Sequence, residues 1–175
     1  MAEYINFYVA GEIPEIAQPT DYTCWAATCT MMLSWRDQTS YSIESALDSL
    51  GGDFRQMFDD PYHEGLLPDR NEDFANATSL ILEYPRCETP VSILHLLKSY
   101  GPLLIIDDEA PNSPTFIRHA RIIIGIDGES DISKTYLSII NPDGGITEDE
   151  LFETFAAKYE ALADDERYKI QMMHF

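Results

Sequence analysis

Basic side chains are scarce in this sequence: 11 lysines and arginines stand against 31 aspartates and glutamates, a formal net charge of −20. Such a field repels phosphate backbones and anionic headgroups, which disfavours direct binding of nucleic acid or of a membrane surface. It favours a basic protein partner or a basic stretch in a protein substrate, and it serves solubility in any case. Cysteine is scarce too. Cys24, Cys29 and Cys87 cannot build a disulfide framework, so the chain is expected to fold in a reducing cytosol. Long apolar runs are missing: Leu103 to Ile106 and Ile122 to Ile126 are strand-sized and far short of a membrane span. The stretch Met1 to Asn6 has neither the basic region nor the apolar core of a cleaved secretion signal; export by a route that needs none stays open. His63, His95 and His174 have no metal-ligand spacing with one another or with the cysteines. No glycine-rich phosphate loop occurs, so no metal or cofactor is expected.

What is present suits a single folded domain over residues 1–175, with 45% apolar side chains for its core. Pro14 and Pro19 make the first stretch an extended lead-in. A helix is predicted from Cys24 to about Arg36, with Thr20, Asp21 and Thr23 as capping oxygens. Further helices are predicted over Ser42 to Leu50, over Asn71 to Leu82, and from Thr89-Pro90 to a stop at Gly101. Beyond Pro102, Leu103 to Ile106, Arg121 to Ile126 and Tyr136 to Ile140 read as strands. Thr147-Glu148-Asp149-Glu150 matches a capping box for a helix through about Leu162, and Tyr168 to Phe175 alternates as a last strand. Asp107-Asp108-Glu109 reads as a solvated loop that could line a groove, and His95 as a core or boundary histidine among leucines. Helices first and strands later give an α+β class: a helical half over about 20–101 and a sheet half over about 102–175.

Four residues stand out chemically. Cys24 opens a helix, where the partial positive charge of the helix N-terminus favours a thiolate nucleophile. Trp25 beside it is placed to wall off water. Cys29 is one and a half turns away, on another face, and reads as structural. His119 opens an apolar strand, and a thiolate needs an imidazole partner from a distant part of the chain. Asn141-Pro142 closes the next strand, and an antiparallel neighbour would bring Asn141 to His119 to fix its tautomer. Gln18 lies six positions before Cys24, where its amide could join the Cys24 N–H around an oxyanion. Each residue alone has a plain structural explanation; the ordered set does not.

That set, Gln18, Cys24-Trp25-Ala26-Ala27, His119 with Gly125 downstream, and Asn141-Pro142, resembles the papain-like cysteine peptidases. Within them it is similar to the compact bacterial branch related to the C39 and C70 families. The likeness spans roughly Pro14 to Phe155. Many relatives carry Asp-Pro where this chain has Asn141-Pro142, and the Cys-Gly-Ser-Cys-Trp run of plant and lysosomal papains is replaced by Asp21-Tyr22-Thr23-Cys24-Trp25. The resemblance implies a helical half packed on an antiparallel sheet half with the active site in the cleft between them. It implies a cysteine endopeptidase working through a Cys24 thioester, with His119 as base, Asn141 as orienter and Gln18 in the oxyanion site. Its compact members suggest a secreted effector or toxin delivered into another cell and restrained by an immunity protein. Two alternatives share the residues: a glutamine deamidase or other amide hydrolase, and a non-catalytic protein-interaction module.

Overall fold

The computed structural model describes residues 3–163, 166–168 and 171–175. In chain order it holds β1 (Tyr4–Tyr8), α1 (Cys24–Asp37), α2 (Ile43–Leu50), α3 (Phe54–Asp59), α4 (Asn71–Thr78) and β2 (Ile81–Leu82). Then follow α5 (Pro90–Tyr100), β3 (Leu103–Asp108), β4 (Arg118–Glu129), β5 (Thr135–Asn141), β6 (Ile146–Leu151), α6 (Phe152–Ala163) and β7 (Met172–His174). The helices are mainly N-terminal and the sheet mainly C-terminal, in line with the α+β expectation.

The sheet runs β2-β7-β3-β4-β5-β6 with every pair antiparallel. β4 is long enough to take two partners along one edge: β3 pairs with its residues 118–123 and β1 with residues 125–129. Strand alternation gives the sheet two apolar faces. Leu104, Ile106, Ala120, Ile122 and Ile140 pack with α1. Leu103, Ile105, Ile123 and Ile139 pack with Ile93 and Leu97 of α5 and with Phe152 and Phe155 of α6.

α1 is buried around its whole circumference from Trp25 to Ser34. Ala26 and Ala27 admit close approach, and Trp25 packs against Phe54 and Phe74 with ring centroids 6.3 and 6.1 Å away. Its buried hydroxyls turn back on the helix: Thr28 donates to the Cys24 carbonyl (2.9 Å) and Thr30 to that of Ala26 (2.8 Å). No side chain caps its N-terminus, because the Thr23 hydroxyl donates to the Thr20 carbonyl instead.

Several local expectations are corrected. Thr147 to Glu150 is not a helix start but lies in strand β6, with α6 beginning only at Phe152. The reason is tertiary: Glu148 and Glu150 alternate onto the face that holds Arg121. Asp107 and Asp108 are buried inside β3 rather than solvated, Asp107 against the fully buried Arg121. The helix from Asn71 stops at Thr78, where Ser79 takes a left-handed conformation, and Ile81–Leu82 is a strand. His95 is exposed on α5. The lead-in contributes a strand, and the last strand is confined to Met172–His174, with residues 169 and 170 of the expected run outside the described residues.

Arg121 sits among Asp107, Glu150 (2.9 Å), Glu109 (3.5 Å) and Glu148 (3.9 Å), and Lys158 bridges Glu150 at 2.7 Å. Removing the cation strands a carboxylate with no access to water. Arg121→Met should therefore cost about 3–5 kcal/mol in urea unfolding, and the paired change Asp107→Leu with Arg121→Met much less. Equal losses would show that packing, and not the ion pair, sets the cost.

Candidate active site

The fold brings the N-terminus of α1 against the start of β4 and the end of β5. Cys24 is half-buried as the first residue of α1. Its amide has no protein partner among the described residues, as an uncapped helix start leaves it. His119, 8% exposed, is the second residue of β4, and Asn141 is the last of β5. The backbone N–H of Gln18 donates to the Pro142 carbonyl (2.8 Å), which ties the segment before α1 to the turn after β5.

Two adjoining depressions result. One, a cavity of about 70 Å³, is lined by Cys24, Trp25, Leu66, Arg118, His119 and Ala120 among others. The other, about 290 Å³, includes Gln18, Glu109, His119 and Asn141. His119 and Arg118 line both. All four residues singled out from the sequence thus meet around one imidazole. The Gln18 Oε1, the accepting end of that amide, is buried without a hydrogen-bond partner among the described residues.

The hydrogen bonds assign the imidazole. The Asn141 Nδ2 donates to Glu148 Oε1 (3.1 Å) and its Oδ1 accepts from the Asp143 N–H (3.0 Å), which fixes which end of the amide is the acceptor. His119 Nε2 lies 2.8 Å from that Oδ1 and is therefore the protonated nitrogen. Nδ1 is left to exchange a proton with the Cys24 sulfur. Burial pulls the His119 pKa down; the hydrogen bond and charge of Cys24, then Asn141, then Glu109, push it up, and the result is raised to about 8. Chemically this is a thiol able to pass its proton to an oriented imidazole beside a free helix-start amide, with the Gln18 side chain lining the adjoining depression.

The other cysteines lack this setting. Cys29 is fully buried, and burial pushes its thiol up to about 12 against the pull of Arg36. Cys87 is exposed, with Glu160 raising its pKa.

Arg118 and Glu148 lie around the site without a functional role in the sequence reading. Arg118 walls both depressions, donates to the Leu66 carbonyl (3.0 Å) and lies over the Tyr168 ring at 5.3 Å. Burial lowers its pKa against the pull of Tyr168 and Cys24. Its adjacency to His119 was the only signal. Glu109 follows β3 in a loop and lines the larger depression, as the sequence allowed, whereas Glu148 lies in a strand rather than a helix start. The alternation of Glu148 with Glu150 is the strand signal that places those two on one face.

A family model described as the papain-like cysteine protease AvrRpt2, peptidase family C70, matches residues 8–160. Among solved structures, the crystal structure of UfSP from C. elegans superposes with a TM-score of 0.55 over 99% of this chain at 12% identity, a likeness of fold. The chain spans 34% of that structure's own chain. No curated protein sequence matches.

The contrast between the thiols is measurable. Iodoacetamide added to the folded protein at neutral pH should label Cys24 and Cys87 and spare Cys29, read by peptide mass. Labelling of Cys29 at the same rate as Cys24 would contradict the burial described.

Proposed function

The chain belongs to the papain-like cysteine protease AvrRpt2 family, and on that premise we propose that Cys24, His119, Asn141 and Gln18 are its hydrolytic residues. The protein is a cysteine peptidase. The observation that carries the assignment is the His119–Asn141 hydrogen bond of 2.8 Å, on an imidazole that shares a cavity with Cys24.

The Cys24 thiolate attacks the scissile carbonyl while His119 holds the sulfur's proton on Nδ1. The oxygen that gains charge is met by the Cys24 N–H and the Gln18 amide. The imidazolium then gives its proton to the leaving amine, which departs and leaves a Cys24 thioester. Water, deprotonated by His119, hydrolyses that thioester and restores the thiol. Asn141 keeps Nε2–H engaged throughout, so Nδ1 stays directed at sulfur. No step calls for a metal or cofactor.

For the substrate we take a folded or extended protein carrying a basic stretch, supported by the net charge of −20. An effector or toxin role in another cell, with a protein inhibitor as partner, rests on the resemblance to compact bacterial members. Labelling of new N-termini in a lysate, active protein against Cys24→Ala, identifies the substrate. Intact fragments absent and deamidated glutamines present would replace the peptidase reading with a deamidase.

Cys24→Ala should abolish hydrolysis with the fold intact by circular dichroism, and Cys29→Ala should not. His119→Ala should be nearly as damaging, since the two act as a unit. Asn141→Ala should lose less, and Asn141→Asp should retain hydrolysis because a carboxylate also accepts from Nε2–H. Gln18→Ala should lower kcat by about 10²–10³ with KM little changed. Full activity in His119→Ala would overturn the mechanism.

The pH dependence follows from His119. Leaving-group protonation needs the imidazolium, whose pKa is raised to about 8. Hydrolysis should hold below that value and fall as pH rises through it. Glu109→Gln removes one upward push, so the alkaline limb of kcat/KM should move to lower pH. An unmoved limb would show that Glu109 does not act on His119.

A further inference from the structure

An asparagine is a riskier orienter than an aspartate. Both oxygens of a carboxylate accept, so either can meet an imidazole N–H. An amide has one accepting end and one donating end. Turned over, Asn141 would present Nδ2 to His119 Nε2, and the imidazole would be driven to the tautomer with its proton on the wrong nitrogen. A chain that uses asparagine here needs something that fixes the amide.

We infer that Glu148 is a positioning residue for the hydrolytic reaction, holding the Asn141 amide in the one orientation that makes Oδ1 the acceptor for His119. This rests on the reading of Cys24, His119 and Asn141 given above. The Glu148 Oε1 accepts from Asn141 Nδ2 at 3.1 Å, and a carboxylate cannot serve a turned amide, whose oxygen would then face it. Glu148 is itself tethered: Arg121 Nη1 lies 3.9 Å from the same Oε1, and Arg121 is wholly buried and held by Asp107 and Glu150. Strand pairing sets the geometry. Glu148 is opposite Ile139, two residues before Asn141 on the same face of β5. The result is a continuous line, His119 to Asn141 to Glu148 to Arg121, running from the imidazole into the buried ion network. The Asp143 N–H, at 3.0 Å from Oδ1, supports the same orientation from the other end of the amide. A hydrogen bond to a charged acceptor is the stronger kind, so the Glu148 contact carries the larger share.

The test is a cycle that a merely structural role would not reproduce. The readout is the rate of Cys24 alkylation by iodoacetamide at neutral pH, followed on the Cys24 peptide so that Cys87 is not counted. Glu148→Ala should slow it about tenfold, the scale of one charge-assisted hydrogen bond. Glu148→Gln keeps an accepting oxygen and should restore most of the rate. In an Asn141→Asp background there is no amide to turn, and the same Glu148→Ala change should slow alkylation less than twofold or speed it. Equal slowing in both backgrounds, or no slowing with Asn141 in place, would overturn the inference. The site reading itself is checked by His119→Ala. If that variant alkylates as fast as the unaltered protein, the imidazole assignment fails. If it is slow while Glu148→Ala is not, only the role of Glu148 fails.

Discussion

The site depends on one extra residue in a strand. β4 and β5 pair as Gly125 with Ser138, but as Ile123 with Ile139, so a bulge falls between Ile123 and Gly125. Before the bulge, Ile122 is opposite Ile140, which sets Asn141 across from Arg121 and on the face shared by His119. Had the pairing from Gly125 continued unbroken, Asn141 would lie across from Ile122, and its side chain would emerge on the α1 face. A register slip of one residue moves every side chain to the other face. The bulge therefore decides whether the imidazole has an acceptor. Gly125 belongs to the same device: a Cβ there would come within 2.6 Å of the Tyr8 ring, because β1 crosses at that point. Bulges beside functional sites commonly re-aim a side chain in this way.

The charge of the whole molecule and the charged groups that line the site act over different ranges. A net −20 opposes a thiolate at long range, yet exposed carboxylates are screened beyond about 10 Å at ordinary ionic strength. Close to Cys24 the charged neighbours facing the cavity from β4 are Arg118 and His119, both held by burial and hydrogen bonds. The uncapped start of α1 adds its dipole. Arg118 and His119 act at contact range, alongside the exposed carboxylates of Asp21 and Glu64 that line the same cavity. The acidity is left to act where it is not screened by contact, in the approach of a basic protein.

What was legible in the sequence was what local chemistry dictates. The start of α1 at Cys24 followed from the apolar run behind it, although the capping expected of Thr20, Asp21 and Thr23 is not made, and the end of β5 followed from Asn141-Pro142. His119 at the head of β4 followed from the apolar run behind it. What was not legible depended on partners far along the chain. Thr147 to Glu150 has every local mark of a helix start, and only Arg121, 29 residues from Glu150, makes it a strand. Asp107 reads as a loop acid until the same arginine is placed beside it. Tyr4–Tyr8 is a strand because β4 offers a free edge more than a hundred residues away. In each case a tertiary partner overrode a local preference. One of these misassigned segments holds Glu148, the acceptor for the Asn141 amide.

The presence of asparagine at position 141 then has a physical rationale. An aspartate there would stand about 3 Å from Glu148 and near Glu109, in a cleft where Arg121 and Lys158 already face four carboxylates, Asp107, Glu109, Glu148 and Glu150. A fifth negative charge at that distance would be repelled by its neighbour and would favour taking up a proton. A protonated aspartate would still accept from Nε2–H through its carbonyl oxygen, but the site would bear the cost of that protonation. Asparagine supplies the acceptor without adding charge, and Glu148 supplies the charge one residue further out, where Arg121 compensates it. The orienting function of a carboxylate is thereby divided between two side chains, one that touches the imidazole and one that keeps the first from turning over.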